Sequence, residues 1–224
     1  MIDGLDIVRK ANARRMKLSV DPRTGQVRLV LPAKAPLGPA LAWAEQYRGW
    51  IERQKSRLPE PWPITPGMAV PIGDRHYVLE WAASHPRTPR LEGDRLLIGG
   101  PEDMVAPRLL RWLRAEARTL LDQDTRDIAA QRDISIGSVT VGDPRSRWGS
   151  CSGKGDIRYS WRLILAPDFV RRATVAHEVA HRIHMDHSRA FHRLAKELYG
   201  ADHKPARDWL RHHGARLYWF GRDG

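Results

Sequence analysis

A chain of 224 residues with 42% apolar side chains has material for one hydrophobic core or two small ones, which excludes disorder on a large scale. Its 38 basic and 26 acidic side chains leave a net charge of +12, a balance that favours anionic partners such as nucleic acid, nucleotides or acidic peptides. No run of 18 apolar residues occurs, the first ten residues lack a signal-peptide core, and the single cysteine, Cys151, has no partner for an internal disulfide; a cytoplasmic protein with no membrane association is expected.

In chain order, the first elements are strands at Leu5–Arg9, Arg15–Val20 and Gln26–Leu31, the last two joined by the turn-forming Asp21-Pro22-Arg23-Thr24-Gly25. Met16, Leu18 and Val20 alternate with Lys17 and Ser19, so one face of this sheet is buried. A helix over Leu41–Leu58 carries Trp43, Tyr47, Trp50 and Ile51 at helical spacing, which predicts aromatic packing onto that sheet. Four prolines between Pro59 and Pro66 make the clearest break in the chain. Beyond it, Met68–Ile72 and Arg75–Trp81 flank a Gly73-Asp74 hairpin signal, and Leu96–Ile98 is a short apolar run. These segments assign residues 1–100 to a β-rich N-terminal region with one helix.

Residues 101–224 form the second part, either as a domain of their own or within one folding unit with the first. Leu109, Leu113, Ala117, Leu121 and Ile128 give a helical period over Ala106–Ala130, with Arg and Asp opposite. Strands follow at Ser138–Val141 and Ile157–Leu165, with a polar segment rich in small residues between them. Asp168 is a candidate N-cap for a helix over Phe169–Ile183, Ser188 for one over Arg189–Tyr199, and Pro205 opens another to about His213. Strands, a buried helix and backing helices make an α+β, zincin-like arrangement.

The chemistry concentrates in Val175–His187, V-A-H-E-V-A-H-R-I-H-M-D-H. His177 and His181 lie one helical turn apart on one face, so their imidazoles converge on a point where a metal can bind. Glu178 sits one residue further round, where its carboxylate reaches a water rather than a coordination position. The apolar flanks Val175, Ala176, Val179 and Ala180 bury this helix, and buried His needs partners. For the third ligand two candidates stand. His187 falls ten residues after His177, the metzincin offset, although His184 replaces the usual turn glycine and no Met-turn follows; this turn would place His184 in the left-handed region. Glu197, on the next helix, would instead give a His, His, Glu site.

Three neutral imidazoles suit Zn2+ and not Mg2+, which prefers oxygen. A water held there falls to a pKa of about 7, and Glu178 would act as general base in peptide hydrolysis. Arg147, Tyr159 and His192 are candidate transition-state or substrate contacts, although core packing is the simpler reading for Tyr159 and Trp148. Cys151 reads as a small buried thiol rather than a fourth ligand. Between Ile136 and Gly224 there are 16 basic and 9 acidic residues, so +7 falls within the part that carries the motif, a field that favours anionic partners. Two other functions fit less well: a metal-dependent nucleoside triphosphate hydrolase, which lacks a Gly-rich phosphate loop, and a non-catalytic zinc module that binds nucleic acid, which would not need Glu178.

R-W-G-S-C-S at Arg147–Ser152, S-W-R-L-I-L-A-P at Ser160–Pro167, H-E-V-A-H at His177–His181 and D-H-S-x-x-F at Asp186–Phe191 together resemble the YgjP-like metallopeptidase family. R-R-M-K-L-S-V-D-P, Trp50-Ile51 and P-I-G-D-R-H-Y extend that resemblance over nearly the whole chain. It implies a zincin fold related to SprT-type proteases, with His177, His181 and His187 as ligands and Glu178 as catalytic residue, and this relation together with the basic charge makes DNA-associated or unfolded protein the expected substrate. Asp186 replaces the family's usual Asn, where it could accept an N–H from a ligating His, and His192 replaces an aromatic Trp.

Overall fold

The structure is a computed structural model that describes residues 2–222. It is mixed α+β, and the chain divides into two compact units, one ending at Pro61 and the other starting at Trp62. No helix among the described residues is long and apolar enough to cross a membrane.

In the first unit, strands β1 (Asp6–Lys10), β2 (Lys17–Val20) and β3 (Val27–Pro32) form a sheet of order β1-β3-β2, with β1 parallel and β2 antiparallel to β3. The turn after β2 closes on a Gly25 N–H that donates to the Asp21 carbonyl at 2.8 Å, with Gly25 at φ 73°. The expected single helix is two, α1 (Leu37–Gln46) and α2 (Arg48–Lys55), parted at Tyr47, whose φ of −96° and ψ of 12° leave the helical region just before the poor helix former Gly49. The side chains packed under α1 are also smaller than expected. Ala40 and Ala44 are buried with Leu29 and Leu31, whereas Tyr47 is exposed and only Trp43 joins the cluster at its margin. Small residues bring the helix axis close to the sheet, and the rings are pushed to the rim.

The second unit starts with β4 (Ala69–Ile72), β5 (Arg75–Trp81), β6 (Arg90–Glu92) and β7 (Arg95–Ile98) in the order β4-β5-β7-β6. Helix α3 (Val105–Ala130) follows, 26 residues or about 39 Å long at 1.5 Å per residue. Its buried stripe of Leu109, Leu113, Ala117, Leu121 and Ile128 shares one core with Val70, Leu79, Leu96 and Ile98. The boundary expected at residue 100 is therefore corrected to Pro61 and Trp62, at the proline-rich break: β4 to β7 have no core apart from α3.

A second sheet, β8 (Val139–Gly142), β9 (Gly149–Cys151) and β10 (Ile157–Ser160), has the order β8-β10-β9, which leaves β9 at an edge. Residues 161–165 are a 3-10 turn rather than the end of a strand, because Ser160 caps it through a side chain that accepts from the Arg162 N–H. Gly73, at φ 59°, donates its N–H to the Ile164 carbonyl at 2.8 Å and ties the first hairpin to this turn. Helices α4 (Asp168–Ala180), α5 (Arg189–Tyr199) and α6 (Lys204–Leu217) complete the unit. Asp168 is the first residue of α4, not its cap; its N–H bonds to Asp74 and its carboxylate takes an Arg171 N–H.

Arg171 and Asp124 meet between α4 and α3 at 2.7 Å with side-chain exposures of 5% and 9%. The polar side of α3 thus has one carboxylate that faces inward. A buried charge needs such a partner, since the energetic cost of leaving it unpaired is several kcal/mol.

Candidate metal centre

Helix α4 is buried through Val170, Ala173, Val175, Ala176, Val179 and Ala180, so the polar residues in its last turn are fixed against packed neighbours. His177 lies in that turn and His181 is the C-cap, with the helix ending sooner than the sequence pattern implies. The Arg182, Ile183 and His184 N–H groups donate back to the carbonyls of Val179, Ala180 and Ala180. This tight turn reverses the chain without a positive φ at His184, so the left-handed conformation expected there is not used. Ser188 then caps α5, accepting from the Phe191 N–H at 3.3 Å.

The reversal places His187 beside the first two histidines. One ring nitrogen from each of His177, His181 and His187 lies within 4.8 Å of the others, and the Nε2 atoms of His177 and His187 are 3.2 Å apart. Phe191, fully buried, floors the cluster with ring centroids 4.9, 4.5 and 4.9 Å from those of His177, His181 and His187. The His184 carbonyl lies 3.0 Å from Nδ1 of His181; a carbonyl only accepts, so Nδ1 carries the proton and Nε2 keeps a free lone pair. Burial, helped by His181 and His187, lowers the His177 pKa to about 3, and burial also lowers that of His181. Both rings are neutral at pH 7, the protonation state that ligates.

Glu178 is 5% exposed and stands outside the three-histidine group. Burial raises its pKa to about 7, against the pull of Arg147. Strand β9 comes so close to it that a Cβ added at Gly149 would lie 2.5 Å from Glu178 Oε1 and 2.6 Å from Cγ. Gly149 is thus the residue that makes room for the carboxylate, a role that the sequence pattern alone does not assign.

Arg147 and His192 line the same cavity of about 780 Å3 as His177, Glu178 and His187. Tyr159 does not: it is fully buried and its hydroxyl is 3.0 Å from Thr125 Oγ1, so its expected contact with substrate is withdrawn. Glu197, the rival ligand, pairs instead with Arg132 at 2.8 Å. The Asp186 carboxylate accepts from the Ser188 N–H at 3.2 Å rather than from a ligating imidazole. Cys151 is outside the histidine cluster, its thiol donating to the Ser152 carbonyl and pushed up in pKa by burial. The loop that carries Arg147 is anchored at Asp143, which takes two hydrogen bonds from the buried Arg162 at 2.9 and 3.0 Å; a third guanidinium donor holds the Leu217 carbonyl. His203, unremarkable in the sequence, also lines the cavity, with Nε2 buried and lacking a hydrogen-bond partner among the described residues.

The family description "YgjP-like, metallopeptidase domain" matches residues 14–213. The chain belongs to the YgjP-like family. No curated protein and no solved structure matches it. Membership places this YgjP-like chain among metal-dependent peptidases and implies a metal ion. The donor set fits one: three imidazole rings converge, two of them with nitrogens facing each other at a separation that a shared cation would turn from repulsive to bonding.

Proposed function

We infer that the protein is a zinc peptidase in which His177, His181 and His187 hold the ion and Glu178 is the general base. The observation that carries this reading is the convergence of three imidazoles beside a buried carboxylate that is not one of the group. Tetrahedral zinc with Zn–N bonds of about 2.0–2.1 Å requires ligand nitrogens about 3.3 Å apart. The 3.2 Å between the His177 and His187 nitrogens supports it. An all-nitrogen set disfavours Mg2+ and Ca2+.

Zinc, when bound, supplies Lewis acidity for the scissile carbonyl and for the attacking water. Glu178, with a pKa of about 7, takes the water's proton and returns it to the leaving amine near neutral pH. Arg147, on the cavity wall, offers a cation for the carbonyl oxygen as charge develops there. The free edge of β9 borders the cavity through Gly149 and gives an extended peptide backbone groups to pair with, while His192 forms part of the far wall. An unfolded segment meets that demand better than a folded surface, so DNA-associated or unfolded protein remains the substrate class.

The test is cleavage of an unfolded protein by wild type and by Glu178→Gln, with metal content measured on both. Loss of cleavage with zinc retained is the expected result, and cleavage at the wild-type rate would overturn the assigned base. A second reading is favoured by Arg147, Lys196 and Arg207, three cations on the cavity wall that would suit a nucleoside triphosphate. Phosphate release from a nucleotide panel, with no peptide cleaved, would establish that reading instead.

A further inference from the structure

The N-terminal unit holds 12 basic and 6 acidic residues in 61 positions, a net +6, so half of the chain's +12 sits in about a quarter of its length. Its sheet has two unlike faces. Leu29 and Leu31 of β3 point into the small core with Leu18 of β2. The opposite parity, Arg28 and Val30, is left for the other face, and the strand register brings Lys17 beside Val30, Ser19 beside Arg28 and Val8 beside Val30. Those residues, joined by Lys10, Asn12 and Arg15, line one recess of about 500 Å3. Asp6 pairs with Arg28 at 2.7 Å, but Lys10, Arg15 and Lys17 have no acidic partner among the described residues. Neither helix covers this recess, since none of its lining belongs to α1 or α2.

We propose that this basic recess binds the sugar-phosphate backbone of a single strand of nucleic acid. The cations lie in a hollow, which a linear polyanion enters and a flat anionic membrane does not. The hollow is on the face of the sheet and not along an edge, so an acidic peptide gains no main-chain pairing there. Three strands at about 4.8 Å spacing make it about 10 Å across, the width of one strand rather than of a duplex. No aromatic side chain lines it, so stacking is absent and the contacts are to phosphate and sugar, indifferent to base sequence. Ser19 and Asn12 add neutral donors among the charges.

The experiment is fluorescence anisotropy with the whole protein and labelled oligo(dT), repeated over a range of salt. Each cation that displaces counterions from a single strand contributes about 0.7 to the slope of log affinity against log salt. The triple substitution Lys10→Ala, Arg15→Ala, Lys17→Ala should reduce that slope by about 2 and weaken binding at least tenfold at low salt. Arg53→Ala, Lys55→Ala, Arg57→Ala removes the same charge from the same unit outside the recess and should leave the slope within 0.5 of wild type by the same counting. Should the triple variant fail to fold, Lys17→Ala alone, losing about 0.7, and Lys17→Arg, losing nothing, carry the test. Equal loss in the control variant would overturn the proposal, as would tighter binding of a duplex or binding of phosphatidylserine vesicles without the oligonucleotide. Peptidase activity in the absence of nucleic acid should not change in any of these variants, so the result stands apart from the metal centre.

Discussion

The substitution Gly149→Ala adds a methyl group where the structure leaves none room. The new Cβ would be 2.5 Å from Glu178 Oε1, 2.6 Å from Cγ and 2.8 Å from Cδ, so the carboxylate must retreat by about 0.9 Å to reach an ordinary 3.4 Å contact. Glu178 is 5% exposed, and because its Cγ as well as its terminal oxygen is too close to the added Cβ, turning the carboxylate alone does not relieve the clash. A general base displaced by about 1 Å costs about a hundredfold in kcat/KM, or about 2.7 kcal/mol of transition-state stabilisation. The three histidines are untouched, so metal content should stay at the wild-type level. Peptide cleavage by stopped assay, alongside zinc by mass spectrometry, reads both quantities. Activity within threefold of wild type would refute the reasoning, because it would show that the closeness of β9 to Glu178 has no bearing on the base; loss of zinc would refute it too, by showing a wider collapse.

Three further outcomes are expected. His187→Ala should abolish zinc binding while Glu197→Ala, which breaks only the exposed pair with Arg132, keeps it; mass spectrometry of the two variants side by side decides the third ligand, and zinc lost only with Glu197 would reverse the assignment. Asp124→Ala leaves the Arg171 guanidinium buried with only the half-exposed Asp168 as partner and should cost about 3–5 kcal/mol, read from urea midpoints; a cost below 1 kcal/mol would mean that water reaches Arg171. In the metal-free protein, burial raises Glu178 from the ordinary 4.5 to about 7, so the fold holds a proton that the unfolded chain gives up, and stability falls as pH rises between those values. Glu178→Gln should therefore stabilise the chelated protein by about 3 kcal/mol at pH 8 and by nothing at pH 4, and an equal gain at both would exclude the burial of a charge as its cause.

The α+β content was legible because α3, α5 and the strands β3 and β5 carry long, regular periods that few other structures satisfy. The approach of His187 to His177 was legible from spacing, since a helix and a tight turn leave the chain few places to go. What escaped the pattern has physical reasons. Residues 161–165 are buried without interruption, which gives no period to tell a 3-10 turn from a strand. The Arg-Leu-Glu of β6 is short and exposed throughout, so it presents no buried face. Asp124 and Arg171 look like surface charges until α3 and α4 are laid against each other, and the space that Gly149 gives Glu178 exists only once β9 crosses the end of α4. Tyr159 fits a catalytic role by its place in the chain, but its period on β10 points the hydroxyl toward Thr125.

The shared core of β4 to β7 with α3 sets where the chain can be shortened. A fragment that starts at residue 101 keeps the three converging histidines, yet it strips the cover from Leu109 and Leu113 and should precipitate or pair with itself through that bare stripe. A fragment that starts at Trp62 retains its whole interior, down to the bridge between Trp62 and Phe220 that fastens its first residue to its last described turn. The smallest self-contained piece of this peptidase is thus the one that begins at Trp62, midway through the proline-rich break.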